Sequence, residues 1–429
     1  MTDANASSAP SAPPTRLFRW LVLIFISLAM FGNYYVYDCI SPLADVLARE
    51  LGFSDANIGL LQAIYSFPNI VMVLVGGIII DRIGTKKSTL LFGVICFLGA
   101  VVTALTPNLY IMAAGRLIFG LGAESLIVGV TTAIARWFKG KELSFAFGVN
   151  LTLARLGSFA ALNSPSWASW SYSSWQWPLI ISVGFASFCV VGAILYWLLE
   201  SQAERRYALG AAGATDKVNL RAIFSFSSSY WFIVALCITF YSGIFPFQTF
   251  AVKFFQEAHG VSRETGGFLS SMLTLFAMVG TPLFGLLVDR VGKRSLFMFF
   301  GSMLLIPVYL IMAYTGVSLY VPMAMMGIAF SLIPAVMWPS VAYVVAEEKL
   351  GTAYGLMTMI QNIGLFGFNL LIGWANDHWA ASAANPAGYT PGMWIFSSVG
   401  FLGLLFAFLL RRSETGPGAH GLETITAKG

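Results

Sequence analysis

Glu124, in GLGAESLIVG, and Arg155, in NLTLARLGSF, are opposite charges set deep in two consecutive apolar stretches. The hydrophilic break RWFKGKE, centred on Lys139 and Gly140, separates those stretches, and the two charges are about equally far from it along the chain. At about 1.5 Å of helical rise per residue, each lies on the order of 20 Å from that turn, inside a hydrocarbon layer about 30 Å thick. A charge at such depth is costly unless it is paired or faces water, which makes both residues functional candidates by default. Their chemistry is complementary. The planar fork of arginine suits a bidentate carboxylate contact, and glutamate accepts charge-assisted hydrogen bonds from an ammonium. Held about 7 Å apart, the extended reach of two residues, the pair would neutralise both ends of a zwitterion. The alternative is a structural salt bridge between neighbouring helices.

The elements that must position this pair follow from composition. A chain of 429 residues with 58% hydrophobic and 10% charged residues has more apolar surface than a soluble core can hide, so it is an integral membrane protein. The net charge of +5 therefore reflects topology rather than nucleic acid. Apolar stretches near 18–41, 56–80, 87–106, 109–137, 144–166, 178–199, 228–254, 264–288, 295–315, 319–346, 352–376 and 392–410 predict twelve spans. Lipid offers the backbone no hydrogen-bond partners, so each should be a helix. Lys and Arg crowd the side of the N-terminus, with Arg16, Arg19, Arg82, Lys86, Lys139 and Arg205 among them, against Arg49, Lys253 and Arg263 on the other side. Both termini are therefore expected in the cytoplasm. Residues 1–15 read as a disordered cytoplasmic tail, without the charged start and apolar centre of a signal peptide. Residues 16–199 and 228–411 should form two six-helix bundles, joined by a cytoplasmic linker at 200–227 and followed by a cytoplasmic tail at 412–429. Cys39, Cys96, Cys189 and Cys237 lack CxxC spacing and read as small buried hydrophobes.

The two halves repeat. GGIIIDRIGTKK carries Gly77, Asp81, Arg82, Gly84 and Lys86, and FGLLVDRVGKR carries Gly285, Asp289, Arg290, Gly292 and Arg294, each after the second span of its half. The glycines suit a tight turn and close helix approach, and the charges could bridge neighbouring helix ends as a clasp that breaks when the halves rock. This duplicated loop within twelve spans resembles the major facilitator superfamily. The resemblance implies an all-α fold of two bundles around a central cavity, with alternating access to its two sides. Arg116, Gly120 and Gly122, in GRLIFGLG, resemble that superfamily's fourth-helix arginine motif. NYYVYDC, FGLGAESL, RWFKGKEL, LARLGS and IFPF further resemble its lysosomal dipeptide transporter branch. That likeness implies a uniporter in which Glu124 faces the peptide amino group and Arg155 its carboxylate. It also implies a lysosomal membrane and a glycosylated accessory partner. The N-terminal tail has no acidic dileucine signal and the outward loops are compact, so a bacterial inner membrane and a monomer without an obligate partner are expected instead.

The second half supplies fewer charges. Aligning GVNLTLARLGS with GLMTMIQNIGL sets Asn362 opposite Arg155, and the tenth span has no charge opposite Glu124. Its contribution should be neutral walls, from Tyr241, Phe245, Phe247, Trp338, Gln361 and Asn362, unless these simply pack between helices. Pro246, Pro334 and Pro339 should bend their helices. In span one, Tyr34, Tyr37 and Asp38 share a face by their spacing, and either line the outer part of the cavity or form an interfacial belt. Asp38 and Glu124 read as the only acids within spans, hence the only obvious proton carriers. Without proton transfer the chain suits facilitated diffusion; with it, symport, including that of organic anions or other small metabolites. His259, His378 and His420 fall in loops or the tail, and there is no metal-ligand cluster, phosphate loop or nucleophile with a base. Neither enzymatic activity nor any cofactor or metal is expected.

Overall fold

The computed structural model describes residues 14–138, 142–206 and 225–426. It contains twelve helices long and apolar enough to cross a membrane. These are α1 (Arg16–Asp38), α2 (Asp55–Ile83), α3 (Thr85–Leu105), α4 (Leu109–Phe138), α5 (Leu143–Leu162) and α6 (Gln176–Arg206) in the first half. The second half holds α7 (Ser228–His259), α8 (Arg263–Val291), α9 (Arg294–Tyr314), α10 (Tyr320–Val344), α11 (Leu350–His378) and α12 (Thr390–Glu414). Several begin where a hydroxyl satisfies an otherwise orphaned backbone donor: Ser54 accepts from Asn57, Ser227 from Tyr230 and Ser262 from Thr265. The turns after α2 and α8 use Gly84 at φ 82° and Gly292 at φ 72°, a backbone region glycine enters at little cost.

Each half packs as a six-helix bundle. Leu23, Phe92, Phe119 and Leu126 belong to the core of the first, and Ile244, Met298, Tyr309 and Phe396 to that of the second. The outer surfaces stay apolar, with Leu283, Leu286, Phe401 and Leu405 among the exposed side chains, as a lipid-facing surface requires. The bundles meet along α2 with α11 and along α5 with α8. An even number of crossings puts the two ends of the chain on one face, the terminal face; the opposite one is the far face.

Two boundaries differ from the sequence expectation. α6 does not stop at 199 but continues to Arg206, and Glu200 is fully buried within it. The Glu200 carboxylate accepts hydrogen bonds from Arg136 and Trp137 of α4, so a residue that reads as polar linker is a paired interior group. Of the expected linker, 207–224 lie outside the described residues. The expected tail also starts later and is partly folded: α12 runs to Glu414, and the chain then turns back so that Leu422 is buried. Backbone carbonyls of Leu422 and Glu423 accept from Arg294 and Lys293, and the Glu423 carboxylate accepts from the backbone of Ser295 at 2.9 Å. The tail thereby caps α9, which has no capping side chain of its own. Glu423→Ala should cost on the order of 1 kcal/mol, the usual worth of an N-cap, read as a lower thermal midpoint of the purified protein.

Candidate functional site: a central cavity between the bundles

A cavity of about 280 Å³ lies between the two halves. Its charged walls all come from the first: Asp38 with Asn33, Tyr34 and Tyr37 on α1, Tyr65 on α2, Glu124 and Ile127 on α4, and Arg155 with Ser158 on α5. The second half contributes neutral groups: Tyr241, Phe245 and Gln248 on α7, Thr274 on α8, Phe330 and Trp338 on α10, and Thr358, Gln361 and Leu365 on α11. Steps of three and four along each helix explain the sets, as in Tyr241, Phe245 and Gln248.

Glu124 and Arg155 share this chamber without pairing, since the two make no ion pair within 4.0 Å. The arrangement is therefore not the structural salt bridge that was the alternative. Glu124 accepts a hydrogen bond from the Tyr65 hydroxyl at 3.3 Å. Arg155 sits 5.0 Å from the ring centre of Phe330, and its buried Nε has no hydrogen-bond partner in the protein. The wall opposite is braced: the Trp338 indole N–H donates to the Tyr241 hydroxyl at 2.9 Å, and Tyr241 stacks on Phe245 at 5.6 Å.

Two expected wall residues are not there. Phe247 is buried inside the second bundle against Phe254, Phe255, Tyr309 and Phe396. Two positions along a helix turn a side chain about 200°, so Phe245 and Phe247 cannot face the same chamber. Asn362 is also buried, its amide donating to the Thr358 carbonyl at 3.0 Å, while Gln361 takes the lining position. Alignment through Gly148 and Gly355 sets depth in the bundle but not facing, which changes about 100° with each residue. Sequence reasoning missed Tyr65, Asn33, Ser158, Gln248, Thr274, Phe330 and Thr358. A buried tyrosine hydroxyl needs a partner, so Tyr65 carried a signal; Phe330, one phenylalanine among 36, carried none.

Arg116 lies outside the cavity. It is 1% exposed and donates to the carbonyls of Val36 at 2.8 Å, Tyr37 at 3.3 Å and Leu61 at 3.2 Å, and to Gln62 Oε1 at 2.7 Å. Val36 and Tyr37 end α1, where unsatisfied carbonyls and the helix dipole favour a cation, so this arginine binds α1 and α2 to α4. A side chain at Gly120 would strike the Tyr65 carbonyl and one at Gly122 the Phe92 carbonyl, so both glycines let α4 approach its neighbours closely.

In the duplicated loops, Lys86 binds Ser201 at 3.3 Å and Glu204 of α6, and Arg294 binds Asp289 at 2.8 Å and the Tyr343 hydroxyl of α10 at 3.4 Å. Asp81, Arg82 and Arg290 are exposed, and Gly77 is buried. Gly285 does not serve close approach as expected, because an added side-chain carbon there meets open space.

Polar contacts between the bundles gather at the far face. Lys253, placed on α7 and only 6% exposed, is bound 2.5 Å from Asp55 at the start of α2. Asn376 donates to the same carboxylate at 2.9 Å, and the Asp377 carboxylate accepts from the backbone of Asp55 and Ala56, both at 2.8 Å. α2 is thus capped by a side chain of the other bundle. Arg263 pairs with Asp45, and the Ser41 hydroxyl donates to the Gln248 carbonyl at 2.5 Å. Asp38 and Glu124 are consequently not the only acids within spans: Asp55 and Glu200 belong to helices as well, each already paired. Among the described residues, no group of three His, Cys, Asp or Glu side chains is placed to hold a metal.

Two bundles around one chamber, with a duplicated loop on the terminal face, define a membrane transporter. The Major Facilitator Superfamily model matches residues 26–367 and 246–425, and the chain belongs to that superfamily. It is similar to the lysosomal dipeptide transporter MFSD1 of Homo sapiens, 32% identical over 394 residues that cover 87% of this chain and 85% of that protein. The corresponding Danio rerio transporter is 32% identical over 374 residues, 84% of this chain and 81% of that protein. In fold it matches the crystal structure of a bacterial homolog to the human lysosomal transporter Spinster in an inward-facing, unoccupied conformation, with a TM-score of 0.74 at 16% identity over 93% of this chain and 98% of that one.

Proposed function

We propose that the protein carries dipeptides or similar small zwitterions by uniport, with Glu124 taking the ammonium and Arg155 the carboxylate. The observation that carries this reading is that the two opposite charges face one chamber without bonding to each other. A ligand with two charged ends compensates both when the chamber closes, whereas a ligand with one leaves a buried charge alone. Similarity to a dipeptide transporter over most of the chain supports the same substrate class. Among the described residues Glu124 bonds only to the neutral Tyr65 hydroxyl, which leaves its acceptors open to an ammonium. The crowding of Lys and Arg at the terminal face supports cytoplasmic termini, and we propose a bacterial plasma membrane as the location. The far face is then the outer one, and its polar contacts correspond to an inward-facing state. We take the working unit to be a single chain without an accessory subunit.

Uptake of a labelled dipeptide into proteoliposomes with no imposed proton gradient tests the reading. Dipeptides, single amino acids and dicarboxylates compared side by side in a thermal-shift assay test the ligand class; stabilisation by dicarboxylates alone would replace this proposal with an organic-anion carrier. Tyr65→Phe is expected to weaken dipeptide binding about tenfold or more, since a hydrogen bond to a charged group is worth about 1.5–3 kcal/mol, with the loss visible by titration calorimetry.

A further inference from the structure

We infer that Phe330 is the positioning residue for Arg155, so that the anionic end of a ligand is recognised by a pair drawn from both bundles. The inference rests on the reading of Arg155 as the carboxylate site. Arg155 comes from α5 and Phe330 from α10, and the guanidinium carbon lies 5.0 Å from the ring centre. No carboxylate pairs with this guanidinium although Asp38 lines the same chamber, and its buried Nε has no partner in the protein. A long cationic side chain in that situation needs something to fix its plane, and a ring face does so while leaving the donor edge unused. The two interactions are compatible: the ring meets the guanidinium carbon, and a carboxylate binds the N–H groups at the guanidinium's edge.

The ring is itself held from behind. Phe330 is buried, lies nearly parallel to Phe240 at 6.3 Å with an interplanar angle of 16°, and meets Phe245 edge-on at 5.8 Å. Phe245 is in turn stacked on Tyr241. Arg155 therefore rests on a braced aromatic plate belonging to the half of the molecule that moves against it. Capture of the carboxylate depends on the two halves being in register at this level, which gives the otherwise neutral wall of the second bundle a share in ligand recognition.

The test keeps the shape of the ring and changes its electrons. Trifluorinated phenylalanine placed at position 330 of the full chain drains the negative ring face, and should weaken binding of alanylalanine roughly tenfold by titration calorimetry. Phe330→Leu should match that loss, and Phe330→Trp should restore affinity to within about threefold of the unmodified protein. Unchanged affinity in the fluorinated protein, with Arg155→Ala abolishing binding, overturns the role of Phe330. Unchanged binding in Arg155→Ala overturns the carboxylate-site reading instead. Since fluorination leaves packing intact, a loss confined to Phe330→Leu would mark the ring as filler and count against the inference.

Discussion

Arg155→Ala is expected to lower uptake of a zwitterionic dipeptide about 100-fold or more, with Glu124→Gln close behind. Truncating one partner of a desolvated charge pair costs about 2–5 kcal/mol, largely because the surviving partner stays buried and uncompensated. Here the survivor is the ligand's own carboxylate or ammonium, so the loss falls on binding and not on the fold. The same logic sets the sign of a control. Without ligand, Arg155 has no anionic partner, and removing an unpaired buried charge relieves a desolvation cost. The ligand-free variant should therefore melt at or above the temperature of the parent protein, although it no longer gains stability from added dipeptide. Arg155→Lys keeps the charge but not the planar fork, and should recover only part of the uptake. Wild-type transport by both Arg155→Ala and Glu124→Gln would end the assignment of the site.

How much of this was legible in the sequence depends on the kind of signal each residue leaves. Twelve spans were readable because lipid forces every crossing segment to be apolar along its length and helical throughout. Glu124 and Arg155 stood out for the same reason, as ionised groups where the solvent is hydrocarbon. Lys253 and Asp55 are more buried still, yet they lie near helix ends, where a polar residue is unremarkable until its partner across the interface is known. That partner is 198 residues away, and nothing local announces it. Glu200 shows the converse: its charge marked the start of a linker, whereas contacts with Arg136 and Trp137 keep it inside a continuing helix. Phe247 and Asn362 failed through facing. Depth follows from counting residues, but in helices apolar on every side no polar stripe records which side meets the chamber.

Lys253→Met should move the resting protein from a closed far face to an open one. The ammonium of Lys253 is the one cation bound to the buried Asp55 carboxylate, which otherwise keeps only the Asn376 amide across the interface. Removing one member of a buried ion pair costs about 3–5 kcal/mol, because the remaining charge is stranded away from water. That cost belongs to the closed arrangement alone, since separation of the bundles hydrates Asp55. A bias of about 5.5 kcal/mol carries a two-state equilibrium from 1:99 to 99:1, so the expected loss is enough to invert a moderate preference. Spin labels at Ser173 and Ala384, exposed positions on the far-face loops of the two halves, should report a longer distance in the variant. The double variant Asp55→Asn with Lys253→Met distinguishes a lock from mere packing. With the Asp55 charge gone, and Glu257, the other partner of Lys253, part-exposed and still bonded to the Tyr389 hydroxyl, it should close again to near the parent distance. A double variant that opens further than the single one would mean that Lys253 acts through its bulk, and that the ion pair does not hold the far face shut.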